Sequence, residues 1–106
     1  MKKLSEIELH DGNLLGFHLN PESQTVTIDI EYCSGTESGD RGKAKINFTG
    51  VTQVNQILDL DLMKKHAVFG NIVQWVVGEK PKVTHLYLAR GLISITSKTV
   101  ELVEVV

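Results

Sequence analysis

The pair His10-Asp11 is the first place in this chain where chemistry could reside, because a carboxylate beside an imidazole can fix its tautomer and raise its basicity. Adjacent residues in a strand point to opposite faces, however, and Gly12-Asn13 follow, so Asp11-Gly12 reads as a turn. Phosphohydrolases of the His-Asp type need further His and Asp ligands on a helical scaffold, and this chain has neither that spacing nor the helices. A small hydrolase or isomerase would have to bring His10, Asp11 and His85 together through the fold, since catalysis needs mutual geometry before any argument about pKa.

Metal and phosphate chemistry fare no better. His10, His18, His66 and His85 are spread too widely for a zinc pattern, and Cys33, the single cysteine, cannot complete a thiolate set. Asp59 and Asp61 mimic the first two ligands of a calcium loop, but Lys64 and Gly70 stand where that loop requires Gly and Glu. The glycine-bearing stretch 35–43 ends in Lys43, yet Glu37 replaces the glycine a phosphate cradle needs, and a strand follows instead of a helix. No metal and no cofactor are expected.

Three residues remain as binding candidates. Asp29 and Glu31 share one face of a strand with Thr25 and Thr27, which reads as a solvated face, and with Glu37 and Asp40 they make an acidic stretch that would suit a basic partner. Trp75 is the lone tryptophan, a residue type favoured both in cores and as an interface anchor.

Period-two alternation supplies the scaffold for these residues. It is clearest over 25–33, where Val26, Ile28, Ile30 and Tyr32 alternate with Thr25, Thr27, Asp29 and Glu31. Residues 13–19 alternate with Leu15, Phe17 and Leu19 on one face, and the Asn20-Pro21-Glu22-Ser23 turn joins the two strands. Further strands are expected over 43–48, 71–77, 83–89, 92–97 and 100–105, with a long loop over 34–42. Residues 49–58 fit a helical spacing at Val51, Val54, Ile57 and Leu58 but are β-branched and follow Gly50, so they read as irregular. Residues 59–67 predict one short helix with Asp61 as its cap. The fold class is mainly β: an antiparallel sheet or small β-sandwich of about seven strands with one short helix, forming a single domain over 1–106.

Composition narrows the function further. At 106 residues, 42% apolar and 23% charged, the chain matches one ordinary globular domain. A net charge of −2 argues against nucleic acid, and no apolar run approaches the roughly 20 residues a membrane-spanning helix needs. Met1-Lys2-Lys3 has the basic start of a signal peptide, but Glu6, Glu8 and Asp11 follow where an apolar segment would lie, so export is not expected. With one cysteine and no disulfide, a reducing cytoplasm is the expected compartment.

The segments HDGNLLGFHLNPESQTVTIDI, KINFTGV and LARGLISITSKTVELVEV resemble parts of small bacterial domains that begin with a His-Asp-x-x-Leu segment. Some domains of this kind are classed with immunity proteins, which neutralise toxins made by competing bacteria. That resemblance implies a binding role and assigns no catalytic residue. The resulting expectation is a non-catalytic protein-binding domain, with a protein partner or self-association. The apolar run 100–106 makes a homodimer through the C-terminal strand a natural mode of self-association.

Overall fold

The computed structural model describes residues 9, 12–33, 41–65, 72–78 and 82–105. Among them run eight strands and one helix: β1 (Asn13–Asn20), β2 (Thr25–Cys33), β3 (Arg41–Thr49), β4 (Gln53–Ile57), α1 (Leu60–Lys65), β5 (Ile72–Val77), β6 (Val83–Leu88), β7 (Gly91–Thr96) and β8 (Thr99–Val105). They form two four-stranded sheets, ordered β1-β2-β3-β8 and β4-β7-β6-β5. Every pairing is antiparallel.

The alternation over β2 and β3 decides which side of the first sheet is dry. Val26, Ile28, Ile30 and Tyr32 lie beside Ala44, Ile46 and Phe48, all buried. Ile72, Trp75, Leu86, Leu88, Ile93 and Ile95 of the second sheet belong to the same core cluster. Two sheets sharing one core is the sandwich arrangement, so of the two architectures the sequence allows, the sandwich is the one adopted.

One ribbon joins the sheets. The β3–β8 pair turns the corner into the β4–β7 pair, held by Lys98 N–H donating to Thr49 O and Thr52 N–H donating to Thr96 O, both at 2.9 Å. The bend needs Gly50 at φ 62, and a Cβ there would lie 2.7 Å from the Lys98 methylenes. At another corner Ile72 N–H donates to Gly12 O at 2.9 Å, tying the start of β5 to the lead-in to β1.

The structure departs from the expected pattern at five places. A β-bulge between Leu14 and Gly16 absorbs one residue, so Leu14 and Phe17 pack on the core while Leu15 is exposed. Leu19, expected inward, is exposed at the far end of this edge strand. A second bulge between Ile72 and Gln74 places Ile72 and Trp75 in the core together, where simple alternation separates them. The stretch expected to be irregular holds β4, because its backbone pairs with β7 from Gln53 to Ile57 and Val54 packs on the core; this is the strand the expected count of seven lacks. The expected helix is present, but Asp61 lies in its first turn and not at its cap.

Candidate functional site

The outer face of the first sheet carries an ordered polar cluster. Past the bulge, Gly16 pairs with Asp29 and His18 with Thr27, which turns His18 outward beside the Asp29 carboxylate. His18 Nε2 is 3.0 Å from Asp29 Oδ2, and Lys45 Nζ donates to Asp29 Oδ1 at 2.9 Å. Gly16 leaves the room for this contact, since a Cβ there would stand 3.1 Å from Asp29 Oδ2 and 3.3 Å from His18 Nε2. The hydrogen bond from Lys45 holds the Asp29 carboxyl below its ordinary range; partial burial opposes this, and His18 adds to it.

Glu31 is engaged in the next row. Asn13 Nδ2 donates to Glu31 Oε1 at 3.3 Å, and Lys43 is the cross-strand partner of Glu31. Asp29 and Glu31 therefore belong to a charge-balanced lattice with His18, Lys43 and Lys45, not to an acidic stripe. Thr27 Oγ1 donates to Asn47 Oδ1 at 3.1 Å, and the Thr49 and Thr99 hydroxyls share a hydrogen bond, so the polar texture continues toward β8. Exposed ion pairs of this kind orient side chains at little net gain.

The outer face of the second sheet has the opposite character. Its register sets Gln74, Tyr87, Leu92 and Ile57 in one row across β5, β6, β7 and β4, and Val76, His85, Ser94 and Asn55 in the next. Ile57 is 70% exposed, Val76 48% and Tyr87 37%, and Leu92 and Val83 are half-buried on the same face. The His85 and Tyr87 rings stack with centroids 6.0 Å apart. Gln53, Asn55, Gln74, Ser94 and Thr96 are neutral polar residues of the same face, so Tyr87, Leu92 and Ile57 form an apolar group toward one end of it, beside the β6–β7 turn that carries Arg90, and these rows hold no carboxylate or ammonium.

The candidates from the sequence are distributed as follows. His10, Asp11 and His66 lie outside the described residues, so of the His10, Asp11 and His85 set the structure places only His85, on the outer face of the second sheet. Trp75 is 9% exposed and packs in the core. Among the described residues no group of three His, Cys, Asp or Glu is arranged to hold a metal ion. Among them, too, no helix is long and apolar enough to cross a membrane.

Tyr87, Leu92, Val76 and Ile57 belong to no motif or charge pattern in the sequence. Their signal is present nonetheless: β6 carries apolar or aromatic residues on both faces, with Val83, His85 and Tyr87 opposing Leu86 and Leu88. A strand of a sandwich with one wet face ordinarily shows polar residues there. Against known proteins, no family model, no curated protein and no solved structure matches the chain.

Proposed function

We propose that this chain is a non-catalytic protein-binding domain whose partner docks on the outer face of the second sheet. One observation carries the reading: Tyr87, Leu92 and Ile57 are cross-strand neighbours on a face turned away from the core, with Val76 beside them. Contiguous exposed apolar surface rimmed by polar groups marks sites of protein association. The neutral polar residues of these rows suit a partner surface that is itself largely apolar. Such a partner differs from the basic one an acidic stripe would take, because Asp29 and Glu31 are already matched by cations and amides within the domain. Neutralising a protein by covering part of its surface, as the resemblance to immunity-type domains implies, requires a face of this kind and no catalytic group. In this reading the domain works in the bacterial cytoplasm, where Cys33 stays a reduced thiol.

Affinity capture from the native host tests the proposal with three forms of the chain. The wild type and Lys45→Glu should retain the same stoichiometric partner, whereas Tyr87→Asp should lose it at least about tenfold while keeping its β-sheet circular dichroism. Absence of any partner, or equal retention by all three forms, would contradict the reading.

A further inference from the structure

We propose that two copies of this chain join through β8, pairing antiparallel about a two-fold axis at Leu102, so that the four strands β1-β2-β3-β8 of each copy form one continuous sheet. An edge strand presents a row of unpaired N–H and C=O groups, and proteins that remain monomeric blunt such edges with bulges, prolines, lysines or shortness. Three of the four edges here show such devices. β1 is bulged between Leu14 and Gly16, and its lead-in is tied to β5 through Gly12 O. β5 is bulged between Ile72 and Gln74, and β4 is only five residues long.

β8 has no bulge, proline or lysine and is not short; its charges are Glu101 and Glu104, and Glu104 faces inward, where it accepts from the Tyr32 hydroxyl. The seven residues of β8, TVELVEV, contain no glycine either, and they pair with β3 from Thr99 to Val105 without a register shift. Val103 and Val105 are exposed on its outer face, and among the described residues nothing pairs with its far side.

The glutamates select the register. In a two-fold antiparallel pair the residue on the axis faces its own copy, so an axis at Glu101 or Glu104 would set two like charges directly opposite. An axis at Leu102 sets Glu101 against Val103 of the second copy, Glu104 against Val100, Thr99 against Val105, and Leu102 against itself, engaging the whole strand. An axis at Val103 would oppose only residues 101–105 to one another and leave Thr99 and Val100 without strand partners. In the Leu102 register Lys45, the in-sheet neighbour of Val103, and the incoming Glu101 flank that valine with opposite charges on the outward face.

A single strand pair buries less than a standard interface, so self-association should be concentration-dependent and is best followed by sedimentation from about 10 µM to about 1 mM. The wild type should move from 11.7 kDa toward twice that mass. Val103→Glu sets a carboxylate against Glu101 twice by symmetry and should weaken the dimer at least about tenfold. The same change lies beside Lys45 within its own sheet, so folding, checked by circular dichroism, should be unaffected. Adding Glu101→Lys to Val103→Glu should restore association to within about threefold, because only the Leu102 register makes positions 101 and 103 direct opposites. A wild type that stays monomeric throughout, a Val103→Glu dimer as tight as wild type, or no rescue in the double variant would overturn the proposal. Tyr87→Asp, on the other sheet, should leave the dimer intact, which separates this test from that of the partner-binding face.

Discussion

His18 Nε2 meets Asp29 Oδ2 at 3.0 Å because the hairpin register pairs His18 with Thr27 and Gly16 with Asp29, which turns the imidazole and the carboxylate to the same outer face. The one-residue bulge at Leu14/Gly16 then brings Leu14 to the dry face alongside Phe17 and leaves Leu15 exposed.

The Asp29 carboxyl is held below its ordinary value of 3.8, first by Lys45 and then by His18. A group whose pKa falls on folding adds stability that is present above its unfolded pKa and is lost as pH falls through the folded one. Denaturant unfolding near neutral pH and near pH 3 should therefore show an acid-side loss that shrinks in Asp29→Asn, by less than about 1 kcal/mol since the pair is partly exposed. Identical pH profiles for the two proteins would remove Asp29 from the acid response.

Tyr32 works in the other direction. Its hydroxyl donates to Glu104 Oε1 at 2.8 Å, and burial followed by this carboxylate pushes the phenol from 10.0 up to about 12. A raised phenol pKa stabilises the fold below the unfolded value and loses that contribution as pH rises through the window from 10.0 to about 12. Phenolate absorbance should show one tyrosine titrating near the top of that window, and Tyr32→Phe should abolish this component at a cost of about 1 kcal/mol at neutral pH. Titration of Tyr32 at its ordinary value would show that the phenol is neither buried nor bonded to Glu104 in solution.

Two glycines in strands should respond differently to a methyl group. At Gly91 a Cβ would stand 2.6 Å from the backbone carbonyl of Ile57, which cannot move without separating β4 from β7. At Gly16 the nearest atoms are the tips of Asp29 and His18, which can swing aside. Gly91→Ala should cost about 1–3 kcal/mol and Gly16→Ala less than about 1. Thermal unfolding of both variants checks this, and equal losses would contradict the close approach of β4 to β7.

Phe48 packs in the core from β3 and is almost fully buried. Phe48→Ala should remove about 3–5 kcal/mol, a large part of the roughly 5–15 that stabilises a domain of this size. Chemical denaturation giving a loss below about 1 kcal/mol would mean that the two sheets do not share one core.

Much of this fold was legible in the amino-acid order because one face of β2 and β3 is apolar at every second residue. Asn20 announces the first hairpin, and its Oδ1 accepts from the Glu22 and Ser23 N–H groups at 3.1 and 3.2 Å. What alternation does not reveal is where it breaks. The bulges at Leu14/Gly16 and Ile72/Gln74 shift the register by one residue, so Leu15 is exposed and Trp75 joins Ile72 in the core. β4 leaves no local signature because only Val54 of its five residues packs on the core, and its pairing with β7 is a long-range fact that no local spacing encodes. The apolar group on the outer face is hidden for the same reason: Ile57 is remote in sequence from Leu92 and Tyr87, and the three meet only through strand order.

A photo-crosslinking residue placed at position 87, with the same group at position 45 as the control, tests the protein-binding reading most directly when both are irradiated in the native host. Position 87 should yield one dominant protein adduct that position 45 does not. No adduct at 87, or the same adducts from both positions, would contradict a docking role for the outer face of the second sheet.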